Sequence, residues 1–146
     1  MVDTYLDASV LVPILLEEQG SPVVDAWIRS TDTRLRVSDL AAAEVSSAIS
    51  RAIRIGRETT AGAERRLRDF DAWRGALTVD VEIRPEDVRM ADRFVRRFDL
   101  KLRTPDAIHA AAALRIGATL LTFDRRLLLA AAAVGVEASA PTAVRS

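Results

Sequence analysis

The sequence predicts an α/β protein with a central, mostly parallel sheet of four or five strands flanked by helices. Two observations carry this. Short strand-like runs (Val2–Leu6, Leu35–Val37, Val79–Ile83 and Ala118–Phe123) alternate with longer helical patterns, which is the signature of parallel strands joined by crossover helices. Helix boundaries are also punctuated by Ser-Pro, Pro and Gly at the expected positions. No repeat or linker breaks the alternation, so residues 1–146 read as one domain.

Val2, Thr4, Tyr5 and Leu6 form the first strand and deliver the chain to Asp7. A helix opens at Ala8 and runs towards Glu17 and Glu18, with Pro13 expected near its first turn and Gly20 as its stop. Ser21 as N-cap and Pro22 at the first helical position start the next helix, through Val23, Val24, Trp27 and Ile28. After the Leu35–Val37 strand, Ser38 caps a long helix from Asp39 to about Ile55, closed by Gly56. Its apolar arc is Ala41, Val45, Ala48, Ile49, Ala52 and Ile53, with Glu44 on the edge of that arc.

A charged helix from Thr59 or Thr60 to about Trp73 pairs antiparallel with the previous one. The Val79–Ile83 strand follows, and Pro85 then opens a helix with Val88, Ala91, Phe94 and Val95 facing inward. A loop over 98–103 leads to Thr104-Pro105-Asp106, where Thr104 is an N-cap, Pro105 the first helical residue and Asp106 a first-turn acid. Five alanines, an Ile and a Leu make that helix smooth enough to pack closely, and Gly117 ends it. A buried strand at 118–123 leads to Asp124, which begins the last helix, to about Val134. Residues 136–138 suggest a fifth strand before a tail.

The 21 basic and 21 acidic residues cancel, so no net field draws the chain to nucleic acid. Without cysteine there is no disulfide framework, zinc-thiolate site or thiol nucleophile, in keeping with a reducing compartment. The first residues enter a strand without a basic leader, and no apolar run reaches membrane-spanning length, so a cytoplasmic protein is expected. Arginine is concentrated around Arg54, Arg57, Arg65 and Arg66, at the tip of the antiparallel helix pair. Arginine suits bidentate phosphate contacts, although a solvated helical face is the simpler account of any one cluster.

Asp7, Glu44, Asp106 and Asp124 all fall at or near strand–helix junctions. In open α/β sheets ligands bind outside the carboxyl ends of the strands. They are poor in local partners: three and four residues away, Glu44 has Leu40, Ala41, Ser47 and Ala48, and Asp124 has four leucines. Arg103, three residues before Asp106, precedes the helix and so lies outside its i±3 geometry. Carboxylates in apolar surroundings call for a neutralising partner, and a hard divalent cation such as magnesium or manganese suits an all-oxygen donor set. Such ions could activate a water and stabilise the leaving oxygen of a phosphodiester displacement. Taken singly, each acid also has a structural role open to it as a cap, turn residue or solvated charge. Ser9, Ser38 and Thr122 can equally be helix-start, cap and strand residues. His109, the only histidine, fits a packing or supporting role better than metal ligation.

The combination resembles a PIN-domain ribonuclease of the VapC toxin type. It rests on Tyr5-Leu6-Asp7-Ala8-Ser9, on Glu44 within Ala43-Glu44-Val45, on Thr104-Pro105-Asp106-Ala107-Ile108-His109-Ala110-Ala111-Ala112, and on Leu121-Thr122-Phe123-Asp124-Arg125-Arg126-Leu127. The resemblance implies a PIN-like three-layer fold and a Mg2+- or Mn2+-dependent endoribonuclease. It also implies an acidic metal pocket of Asp7, Glu44, Asp106 and Asp124, supported by Ser9 and Thr122. A homodimer and a VapB-type antitoxin with a basic side chain aimed at the acids are further implications. Two other readings compete: a receiver-like magnesium-binding signalling domain, and a PIN module that binds without cleaving. The receiver reading lacks a lysine near its last strand, since Lys101 precedes the Asp106 helix.

Overall fold

The computed structural model describes residues 2–142; the tail beyond lies outside the described residues. Five strands form one all-parallel sheet in the order β3-β2-β1-β4-β5. They are β1 (Asp3–Leu6), β2 (Arg34–Ser38), β3 (Val79–Val81), β4 (Thr119–Leu121) and β5 (Ala138–Ser139). The chain starts in the middle, steps outward through β2 and β3, then returns to the other side of β1 with β4. The connection therefore reverses between β1 and β4, the place where such sheets open a ligand crevice.

Side-chain alternation divides the core between the two faces. Leu6, Leu35, Val37 and Leu121 pack with α1 (Ala8–Leu15), α2 (Ser21–Ser30), α3 (Asp39–Arg54) and α4 (Thr60–Leu77). Tyr5, Val81 and Leu120 pack on the other side with α5 (Pro85–Val95), α6 (Thr104–Ile116) and α7 (Arg125–Ala133). The alanines of α6 are buried throughout, which lets its axis lie close to the sheet. Among the described residues no helix is long and apolar enough to cross a membrane.

Several boundaries differ from expectation for identifiable reasons. Pro13 lies in the interior of α1, not its first turn, where it can donate no backbone hydrogen bond to the Ser9 carbonyl. The helix ends at Leu15, short of Glu17. Ser21 is not the N-cap of α2, a position held by Gly20. Its hydroxyl instead meets the Pro13 and Leu16 carbonyls at 2.7 and 3.1 Å, satisfying the end of α1. Helix α4 continues to Leu77, and Arg74 in its last turn is held by Asp39 at 2.9 Å and Asp80 at 3.1 Å. On α5 the inward position expected for Val88 belongs to Asp87, and Val88 is exposed. Arg115 of α6 reaches that buried carboxylate at 2.8 Å, and the Arg84 amide donates to it at 2.9 Å. Thr104 is the first residue of α6 and not its cap, since Arg103 holds the cap position without a side-chain bond. The strands β3 and β4 are shorter than expected, and β5 lies slightly later.

Candidate functional site

The carboxyl ends of β1 and β4 are tied together by the Asp7 amide, which donates to the Leu121 carbonyl at 3.3 Å. Asp7 occupies the cap position of α1, yet its side chain does not cap that helix. It accepts the Ser9 hydroxyl at 2.6 Å and is only 4% exposed. Burial pushes the Asp7 carboxyl above its ordinary range, with the Ser9 and Thr122 hydroxyls opposing the shift. No lysine or arginine among the described residues forms an ion pair with it.

The same small network orients the turn after β4. Ser9 Oγ accepts the Phe123 amide at 2.9 Å and lies 3.2 Å from Thr122 Oγ1, which accepts the Asp124 amide at 3.0 Å. Thr122 is fully buried. Asp124 does cap its helix: Oδ1 accepts the Arg126 and Leu127 amides at 2.9 and 3.2 Å. Asp106 is half-buried in the first turn of α6. Burial raises its pKa most, and the charges of Asp124 and Asp7 raise it further. Arg103 and His109 act in the other direction. Arg103 lies 3.7 Å from Asp106, so it is a loose partner where sequence spacing suggested none.

Glu44 is held differently. Its carboxylate is hydrogen-bonded to His109 Nε2, and His109 Nδ1 lies 2.7 Å from the Tyr5 hydroxyl. That hydroxyl donates to Ser38 Oγ at 2.7 Å, and Ser38 Oγ accepts the Ala41 amide at 3.0 Å at the start of α3, the helix that carries Glu44. Tyr5, His109 and Ser38 are essentially inaccessible, and burial holds the Tyr5 phenol well above its ordinary range. This chain of buried polar groups fixes the carboxylate from behind. Sequence reasoning placed His109 in a supporting role but missed Tyr5 and the second hydrogen bond of Ser38. The available signal was that the only tyrosine and the only histidine both sit within three residues of a candidate acid.

The structure thus links Asp7, Ser9, Thr122 and Asp124 through one hydrogen-bond network, with Asp106 inside the field of Asp7 and Asp124. Glu44 belongs to a separate network, through His109 to Tyr5 and Ser38. Among the described residues no three acidic or imidazole groups close into a ready coordination shell. The arginines stand apart. Arg54 donates to Ser50 at 2.8 Å, and Arg54, Arg57 and Arg65 are exposed. Arg66 turns inward to Glu58 and the Leu15 carbonyl, so it is a structural residue and not part of an open basic tip.

The fold and the acids at the carboxyl end of its sheet agree with a family match: a PIN-domain model matches residues 4–133, and the chain belongs to the PIN-domain family. Ribonuclease VapC49 of Mycobacterium tuberculosis (strain ATCC 25618 / H37Rv) is 36% identical over 137 residues, covering 90% of each chain. Ribonuclease VapC46 of the same strain is 31% identical over 97% of this chain and all of that one. The protein is a VapC-type ribonuclease toxin of a toxin–antitoxin system. The crystal structure of Mycobacterium tuberculosis VapC20, described as a sarcin–ricin-loop-cleaving toxin, superposes with a TM-score of 0.73. It covers 99% of this chain and 100% of VapC20 at 15% identity, which speaks to fold alone. The receiver-like alternative falls away. Lys101 lies in a left-handed turn before α6, and Asp80 is an exposed residue of the outer strand β3 paired with Arg74.

Proposed function

We propose that the chain is an endoribonuclease dependent on a divalent cation, with Asp7, Asp106 and Asp124 as principal acids and Glu44 completing the set. Mg2+ or Mn2+ fits the donors: all are hard oxygens, and Asp7 and Asp106 carry charge against burial. When bound, the cation supplies a lowered pKa for the attacking water and neutralises charge developing at the phosphate. The protein's part is orientation. Ser9 fixes one oxygen of Asp7, Thr122 fixes the backbone of Asp124, and His109 fixes Glu44. The single observation that carries this reading is the buried Asp7 carboxylate at the switch point, held by hydroxyls and by no cation of the protein.

The substrate is RNA, with Arg54, Arg57 and Arg65 as phosphate-binding groups. A VapB-type antitoxin inhibits the enzyme by bringing a basic side chain to the acids, and the toxin works as a homodimer in the cytoplasm. The test is cleavage of a single-stranded RNA by wild type in Mg2+ and in EDTA, beside Asp7→Asn. Cleavage should vanish in EDTA and fall more than about a hundredfold in the variant. Undiminished cleavage by Asp7→Asn would overturn the assignment. No cleavage by wild type in either Mg2+ or Mn2+ would favour the idle, binding-only reading.

A further inference from the structure

A groove of about 400 Å3 opens beside Asp7, lined by Ser9, Pro13, Glu18, Gln19, Gly20 and Phe123. It is continuous with the site through Ser9, whose hydroxyl donates to Asp7 and accepts the Phe123 amide. The Phe123 ring is partly exposed and packs against the core below. Its edge lies against Gly20, where even a Cβ would come within 3.2 Å of Cε2. The walls are therefore an aromatic ring and a proline ring, one hydrogen bond from the candidate catalytic carboxylate. The rim carries Glu18, a half-exposed carboxylate without a side-chain partner among the described residues, and the exposed amide of Gln19. Glu18 also lines a second groove that leads to Arg51 and Arg57.

We propose that this groove is a nucleobase subsite, taking an unpaired base next to the scissile phosphate and reading its edge with Glu18. The proposal rests on the ribonuclease reading and adds the choice of base. Single-stranded RNA is bound by stacking bases on aromatic faces and by hydrogen bonds to their edges. Phe123 supplies the face. A carboxylate only accepts hydrogen bonds, so it selects bases that present donors. Guanine alone offers an N–H and an adjacent amino group on one edge, matching the two oxygens of Glu18, whereas uracil offers a single N–H between two carbonyls. From there the strand runs past Glu18 towards Arg51 and Arg57, which meet its phosphates.

The test uses the full chain carrying Asp106→Asn, in EDTA, so that nothing is cleaved. Fluorescence anisotropy measures binding of an RNA of about eight uridines and of the same RNA with one central guanosine. The guanosine RNA should bind roughly tenfold more tightly, and Glu18→Gln should remove that preference while leaving uridine binding nearly unchanged. Phe123→Leu, which keeps apolar bulk without the π face, should weaken both RNAs roughly tenfold. Phe123→Trp should restore them. Thermal unfolding of each variant checks that the fold is kept. Equal affinity for the two RNAs, or binding unaffected by Phe123→Leu, would overturn the subsite. Failure of the ribonuclease reading is separate: it is absence of RNA cleavage by wild type in Mg2+ or Mn2+.

Discussion

Two aspartates bracket β1 only four positions apart, and their surroundings are opposite. Asp3 opens the strand and is 7% exposed; Asp7 follows it and is 4% exposed. Asp3 receives Arg34 through Nε at 3.0 Å and Nη2 at 2.9 Å, and Arg36 through Nη1 at 2.7 Å. Those guanidinium groups, Arg34 foremost, hold its carboxyl below the ordinary range despite burial. Asp7 has hydroxyls for company, and burial moves it the other way. Register explains how: β2 lays Arg34 beside Asp3 and Arg36 beside Tyr5, then reaches Ser38 as its last residue. Asp87, with Arg115, repeats the neutralised pattern away from the crevice. Among the described residues, the buried carboxylates Asp3 and Asp87 carry their own cations, whereas Asp7, at the carboxyl end of β1, carries none. The buried acid left unpaired serves a ligand, whereas these buried pairs serve the fold.

The largest effect falls at the paired end. Arg36→Ala leaves Asp3 with one guanidinium, which is more exposed than the one removed. It should cost about 2 kcal/mol of stability in urea unfolding, with cleavage per folded molecule unchanged. The acid limb supplies the sign. Because the folded pKa of Asp3 is lowered, the stability from its pairing is complete above the ordinary aspartate range of about 4 and drains away as pH falls through the folded value. Asp3→Asn should therefore flatten acid unfolding below about pH 4.

At the unpaired end the sign reverses. The folded pKa of Asp7 is raised, so its ionisation works against folding at neutral pH, and this cost shrinks as pH falls through the folded value. Asp7→Asn should stabilise the metal-free protein at pH 7, by roughly 1 kcal/mol or about 3–5 °C in Tm. That advantage should disappear at acid pH. A destabilised variant at pH 7 would mean that Asp7 is a structural residue like Asp3.

Tyr5→Phe sharpens the contrast by removing one hydroxyl from the chain behind Glu44. It should cost about 1 kcal/mol. It should also weaken Mn2+ binding several-fold, measured by calorimetric titration, which a purely structural hydroxyl would leave alone. The smallest effect concerns the exposed arginines. Arg54→Ala with Arg57→Ala should lower the slope of log affinity for RNA against log salt by about 0.7 for each phosphate no longer neutralised.

The sequence made legible whatever is local or periodic. Strand–helix alternation yielded the parallel sheet, and Ser38 and Asp124 were recognisable at the starts of α3 and α7 from residue type alone. The acids themselves stood out by being poor in partners three and four positions away. What stayed hidden depends on interactions between distant segments. Glu44 and His109 are 65 positions apart, Asp3 and its arginines 31 and 33, and Asp87 and Arg115 28. Helical-wheel reasoning put Val88 inside because it weighs hydropathy, whereas a long arginine from α6 made the neighbouring carboxylate the better buried residue. Arg66 looked like part of a basic tip for the same reason: the Leu15 carbonyl that draws it inward belongs to another helix.

The most direct test of the account is thermal unfolding with and without Mn2+ for wild type, Asp106→Asn and Asp3→Asn. At a Mn2+ concentration about ten times its dissociation constant, a bound ion stabilises by about 1.4 kcal/mol, or roughly 3–5 °C. Wild type and Asp3→Asn should shift equally, from different starting temperatures, and Asp106→Asn should not shift. No Mn2+ shift in wild type, or a full shift retained by Asp106→Asn, would contradict the claim that the acids at the carboxyl end of the sheet are a cation site.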